Sequence, residues 1–450
     1  MPLEVQQIRE SPYPPAGERR RRARTAPWCL RFDAGRVAYP VMPRDYAAAA
    51  RRNEKLYYAF IILMETGFWF GIWIKYLTVG RGLELRYILL MDLPFWLMVA
   101  VLEAPFGALA DRIGSSRVLA LGAGVYALTI AGFGFTTNYW MLFADYMLWA
   151  IAMACRSGAD QALLFDSLKQ GGVESRFSRI IGRGFALQIA AGMFGVLAGG
   201  FIAATTSLAF TVQVSFFGPL LAVVVALAMV EPHVEHERPP YLQNLKRGFS
   251  YAWHTPQVRY TVLFGSTVMM AAFAPVILMQ PFLIKHDVAT SLFGVYQAPL
   301  RLTAVVAAIY AHRAAARTGA PKMFALACAG MIISFAGLSA IDRVGVFALF
   351  ALPALIQGFM RPTIDTYVNH HTPSETRATV LSVSSLVLSV QVAFFEPLVG
   401  FITDEVSIRA AFGFVAVFFL VVMPPLFYLW RRAYVPGEDQ PPATLAAEAA

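Results

Sequence analysis

Apolar runs about as long as a bilayer is thick recur along the whole chain, and this recurrence limits the fold more than any other feature. They fall at 56–77, 86–108, 118–138, 140–165, 183–205, 209–230, 259–283, 292–315, 321–340, 345–368, 378–402 and 410–430. A spanning helix needs about 20 apolar residues, so the count is about 12 spans. Transmembrane strands would alternate over about 10 residues, whereas these runs are longer and unbroken. In lipid every backbone N–H and C=O must be satisfied within its own segment, so the runs are expected to be helices. The composition agrees: 14% of residues are charged, against about 25% in an ordinary soluble domain. The expected fold class is an all-α membrane protein of 12 transmembrane helices.

The formal net charge of +9 is distributed as in a membrane protein and does not point to nucleic acid. Roughly 20 Lys and Arg near span ends lie on the side of the N-terminus and about 6 on the other, the positive-inside asymmetry. Lys169, Arg176, Arg179 and Arg183 crowd one short loop, and Arg313, Arg317 and Lys322 another. Both termini are therefore expected in the cytoplasm of a cell-membrane protein. The predicted organisation is a polar, basic, disordered head at 1–55, six spans at 56–230, a cytoplasmic linker at 231–258, six spans at 259–432 and a tail at 433–450. The head holds the block Arg19–Arg22 but no apolar stretch behind it, so it does not read as a signal peptide; Met42 is an alternative start. In the linker, Leu242, Leu245, Phe249 and Trp253 fall at helical spacing, which predicts an amphipathic helix at the membrane interface. Cys29, Cys155 and Cys328 are scattered and give no disulfide framework.

The two halves repeat one another. Arg156 and Asp160 read R-x-x-x-D in the fourth span, and Arg361 and Asp365 repeat it in the tenth. The second span ends E103-A-P-F-G107-A-L-A-D111 and the eleventh E396-P-L-V-G400-F-I-T-D404, with the same Glu, Gly and Asp spacing. Repeats of this kind mark secondary transporter folds, whose substrate sites lie at the repeat interface near the bilayer midplane.

Ionisable residues within spans are costly, at about 2.5–3.5 kcal/mol on insertion scales, and so mark function. Glu65, central in the first span, is the leading candidate proton carrier, with Asp160 and Asp92 behind it; the alternative for Glu65 is a hydrogen bond fixing its span. Arg156, Asp160, Arg361 and Asp365 are read as a salt-bridge gate between the halves, or else as two local pairs. Trp69, Trp73, Gln188, Gln280, Gln297, Arg301, Gln391 and Glu396 are candidates to line a substrate cavity; Arg301 would meet an anionic ligand or neutralise Glu396.

The loop P105-F-G107-A-L-A-D111-R112-I-G114-S-S-R117 closely resembles the signature between the second and third spans of the major facilitator superfamily, and E103-A-P-F-G107 resembles many of its exporters. Ser115 and Ser116 stand where the family usually has basic residues. The likeness covers nearly the whole chain and implies two pseudo-symmetric six-helix bundles, with Gly107, Asp111, Arg112 and Gly114 as a cytoplasmic latch. G195-V-L-A-G199-G200 is similar to the G-P-x-x-G-G motif of proton-coupled drug exporters, with Val196 replacing the proline; small residues at this spacing also serve plain helix packing.

These readings predict a monomeric secondary transporter working by alternating access, with a small-molecule substrate, protons and the bilayer as partners. No phosphate-cradling loop, cofactor motif or metal set is present in the sequence, and no enzymatic constellation. Proton-coupled export of an amphipathic compound is preferred; the alternatives are an importer of a sugar, organic anion or other nutrient, and a transport-dead receptor or scaffold.

Overall fold

A computed structural model describes residues 46–232 and 241–435, so the Arg19–Arg22 block, Cys29, Met42 and the tail beyond 435 lie outside the described residues. Every regular element within them is helical. The long helices are α1 (Tyr46–Glu65), α2 (Leu85–Ile113), α3 (Ser115–Phe135), α4 (Tyr139–Arg156), α5 (Ala159–Gln170), α6 (Phe177–Thr205), α7 (Leu208–Val214), α8 (Phe217–Leu227), α9 (Tyr241–His254), α10 (Pro256–Lys285), α11 (Phe293–Thr318), α12 (Ala320–Ala340), α13 (Ala351–His370), α14 (Ser374–Glu405) and α15 (Ile408–Ala433). Helix α1 starts ten residues ahead of the first apolar run, because Y46-A-A-A-A-R-R-N-E-K continues the helix as a polar turn outside the greasy stretch.

Among the described residues, ten helical segments are long and apolar enough to cross a membrane. The two that fall short are the first and the fourth, and the reason is the same in both. Helix α1 stops at Glu65, and the chain loosens into turns before resuming at Trp73–Lys75. Helix α4 stops at Arg156, and α5 resumes beyond Gly158, whose φ is +74°. Each break sits beside a charged residue, so charge and interruption together lower the apolar content of the segment.

The loop between α2 and α3 shows why its glycine is needed. Gly114 has φ +99°, and a Cβ there would lie 2.8 Å from the Glu231 carboxyl carbon. That carboxylate accepts from the Ser115 N–H at 2.7 Å and the Ser116 N–H at 2.8 Å. It thereby caps α3 with a negative charge at the positive end of the helix dipole. Gly114→Ala is expected to destabilise the protein by about 1–3 kcal/mol through the strained φ and to displace the cap, seen as a lower Tm in detergent. Glu231→Gln should cost less, about 1 kcal/mol, because the amide keeps one acceptor.

Helix α9 packs on α14: Gly248 lies against Thr379, and the Tyr251 hydroxyl donates to the His371 carbonyl at 2.7 Å. Phe249 and Trp253 stack outward, half exposed, on the free side of the helix.

Candidate functional site

The breaks in α1 and α4 meet. Arg156 Nη1 lies 2.6 Å from Glu65 Oε1, and Gln188 Nε2 of α6 donates to the same oxygen at 3.0 Å. Asp160 closes the chain of charges, 3.9 Å from Arg156 Nε, with Oδ1 accepting from the Gln161 N–H in the first turn of α5. Glu65 and Arg156 form one side of a cavity of about 220 Å³, with Gln188 and Asp160 behind them and outside its lining. The walls are aromatic: Trp69, Phe70, Tyr126 and Trp149, with Trp69 and Trp149 edge to face at 5.4 Å. Arg301 enters from α11. Its guanidinium stands 5.0 Å from the centre of the Phe70 ring, against Gly192 of α6. Among the described residues it has no hydrogen bond and no ion pair, and it does not meet Glu396.

Backbone that leaves a helix within a membrane must find partners for its freed groups, and glutamines supply several of them across the break in the first span. Gln280 Oε1 accepts from the Ile74 and Lys75 N–H groups at 3.0 and 3.2 Å, while its Nε2 donates to the Phe70 carbonyl at 3.2 Å. Gln297 Nε2 donates to the Gly71 carbonyl at 2.9 Å. Ser215 Oγ accepts from the Trp69 N–H at 3.1 Å. The glycines of α6 make room for the same segment: Gly195 lies against the Gly67 backbone and Gly199 against the Phe68 carbonyl, while Gly200 meets the α11 side at Thr290 and Gly294.

The halves are joined at the end opposite the linker, here called the far end. Arg86 pairs with Glu405, its N–H donates to Asp404 at 2.6 Å, and Lys75 Nζ donates to Thr290 Oγ1 at 2.8 Å. Gly400 sits on Leu89 and Arg86. Deeper in, Trp96 Nε1 donates to Glu396 Oε2 at 3.2 Å, and Asp92 lies against the same carboxyl group. The bonds between the halves named here run from the middle of the molecule to the far end.

A sequence model of the Major Facilitator Superfamily matches residues 56–342 and 260–449. The chain belongs to the Major Facilitator Superfamily. Solved structures similar to it include the nucleoside transporter NupG, at 12% identity over 85% of this chain and 99% of that one with a TM-score of 0.65. Another is a bacterial homologue of the human lysosomal transporter Spinster in an inward-facing, unoccupied conformation, at 14% identity over 89% and 100% with a TM-score of 0.69. No curated protein sequence matches the chain. The major facilitator fold, a multi-pass membrane protein of the transporter class, is thus established.

In this facilitator fold the predicted residues separate into groups. Glu65, Arg156, Asp160 and Gln188 come together, with Trp69 and Arg301 across the cavity. Arg361 and Asp365 form their own i,i+4 pair at 3.9 Å, 67% and 48% exposed, apart from Arg156 and Asp160. Gln280 and Gln297 hold backbone and are not among the cavity-lining residues; Trp73 is buried behind Trp69. Gln391 donates to Thr267 Oγ1 at 3.1 Å inside the second half. At the motif loop, Glu103 accepts from Ser157 Oγ at 2.8 Å, and the place of a Cβ on Gly107 is open. Asp111 and Arg112 stand exposed at the linker end of α2. Sequence reasoning missed Tyr126, Trp149 and Phe70, which nothing sets apart from other aromatics in apolar runs. It also missed Glu231, which an acid directly after the sixth span, facing a glycine turn, could have signalled.

Proposed function

We propose that the chain exports an amphipathic small molecule by alternating access, driven by protons, and that Glu65 carries the proton. The observation that carries this reading is the Glu65–Arg156 pair at the side of an aromatic cavity, held where two helices break. The basic residues cluster at the linker end, which under the positive-inside rule is cytoplasmic; the present conformation then opens inward and loads its cargo from the cytoplasm. The cargo's apolar body would lie on Trp69, Phe70, Tyr126 and Trp149. Protonation of Glu65 would release Arg156 from its pair and let the halves rearrange. Each charge moved across 100 mV supplies about 2.3 kcal/mol, enough to drive a small solute uphill.

The free guanidinium of Arg301 favours a second reading, an importer of organic anions, with Arg301 as the carboxylate or phosphate site. Purified protein in liposomes, assayed with an imposed pH gradient against a panel of aromatic cations, neutral amphipaths and aromatic carboxylates, separates the two. Under the export reading, inside-out vesicles with an acid lumen accumulate a cation or neutral compound in exchange for protons that leave down their gradient. Glu65→Gln abolishes that gradient-driven flux while leaving counterflow exchange within about threefold. Unchanged proton-driven flux in this variant removes Glu65 from the mechanism. Flux confined to carboxylates, and lost in Arg301→Ala, establishes the second reading instead.

A further inference from the structure

We propose that Asp92 and Glu396 form a shared proton site across the seam between α2 and α14, and that holding its proton keeps the far end of the molecule closed. The two carboxyl groups belong to opposite halves and lie against one another, 6% and 3% exposed. Among the described residues no Lys, Arg or His comes within ion-pair distance of either. The groups facing them are Trp96 of α2, which donates to Glu396, and Tyr146 of α4, whose buried hydroxyl has no partner. Helices α9, α10, α13 and α15, which also flank α14, bring no charged side chain to the pair; Asp145 of α4 lies against Gly132 of α3, and Phe273 of α10 closes the pair off from one side through Trp96. The charged residues Glu84, Arg86, Asp404 and Glu405 lie beyond it at the rim.

Two carboxylates this close in an apolar interface repel, and with no cation to offset them one proton shared between them turns repulsion into a hydrogen bond. Separating the halves at the far end separates the two acids and wets each of them, which lets the proton leave. The site is therefore bistable by construction: protonated and joined, or ionised and apart. Proton binding and far-end closure are then one linked equilibrium, and linkage through one proton changes the ratio of closed to open by up to about tenfold per pH unit. Glu65 takes no part in this pair, so the inference stands apart from the function proposed above.

The test uses the full chain in lipid nanodiscs without substrate. Spin labels are placed at the far end through Thr206→Cys and Val406→Cys, in a background with Cys29, Cys155 and Cys328 replaced. The expected result is a single short inter-label distance at pH 5.5, with a longer one growing in as the pH rises to 9. Asp92→Asn combined with Glu396→Gln should stay closed over the whole range, because neutral amides hydrogen-bond without repulsion. Should that double variant fail to fold, each single variant is measured; loss of the like charge moves the opening midpoint toward alkaline pH by at least one unit. The rim groups Glu84, Arg86, Asp404 and Glu405 are unaltered in these variants, so a response that arises from them survives the substitutions and is told apart. A wild-type distance that ignores pH, or a pH response surviving unchanged in the variants, overturns the proposal. A chain that transports nothing in the panel above still answers this experiment.

Discussion

Arg156→Ala is expected to lower transport at least a hundredfold and to destabilise the folded protein by about 3 kcal/mol. Glu65 ends α1 in mid-membrane and has two polar partners there, Arg156 at 2.6 Å and Gln188 at 3.0 Å. Removing the guanidinium leaves a carboxyl group whose remaining partner carries no charge, and breaking one side of a buried pair costs about 3–5 kcal/mol. About a quarter of each side chain reaches the cavity, which sets the expected cost at the lower end of that range. Asp160, 3.9 Å from the same guanidinium, loses its partner as well. A double-mutant cycle separates charge from packing. Glu65→Gln with Arg156→Ala removes both charges and is expected to recover at least half of the lost stability in thermal unfolding, while transport stays absent. If the double variant proves no more stable than Arg156→Ala alone, the pair is not what stabilises the junction of the two breaks.

That junction was only half legible in the sequence. Glu65, Arg156 and Asp160 stood out because charge inside an apolar run is expensive wherever it occurs, so residue type alone located them. The breaks beside them did not stand out. The stretch T66-G-F-W-F-G-I72 contains no proline, and Gly67 and Gly71 are only a weak local signal that its backbone leaves the helix; what supports the departure lies some 200 residues away, in Gln280 and Gln297, which accept and donate in place of missing helical bonds. Those glutamines were visible as polar groups in spans, but a polar group facing a cavity and one facing a broken helix backbone look alike in a sequence. Asp92 and Glu396 pose the same difficulty: each could be found alone, and only the crossing of α2 and α14 makes them a pair. The fold itself was easier to read, because hydropathy reports on solvent and twelve greasy runs leave lipid as the only solvent that fits. The exceptions, the first and fourth segments, are the two that carry the ionic junction.

Gln280→Leu is the other substitution with a large expected effect, and its effect should fall on conformation. The side-chain volume is kept and the apolar surroundings suit leucine, yet three hydrogen bonds vanish, two from the Ile74 and Lys75 N–H groups and one to the Phe70 carbonyl. Each buried backbone group left without a partner costs about 1–3 kcal/mol. The bonds run from α10 in the second half to the break in the first, so the cost falls only on the state in which these halves meet. The closed far end should therefore lose about 2–9 kcal/mol relative to the open one, by summing two or three such groups. A shift of about 5.5 kcal/mol is enough to move a two-state equilibrium from 99:1 to 1:99. A cysteine placed at Leu89, buried in the seam against Gly400, should change from protected to rapidly labelled by a membrane-impermeant maleimide. Gln297→Leu frees only the Gly71 carbonyl across the seam and should shift the balance less. Equal protection of Leu89→Cys with Gln280 and with leucine in its place would mean that the broken span supports itself, and that the seam is held by Arg86, Asp404, Glu405 and the carboxyl pair beneath them.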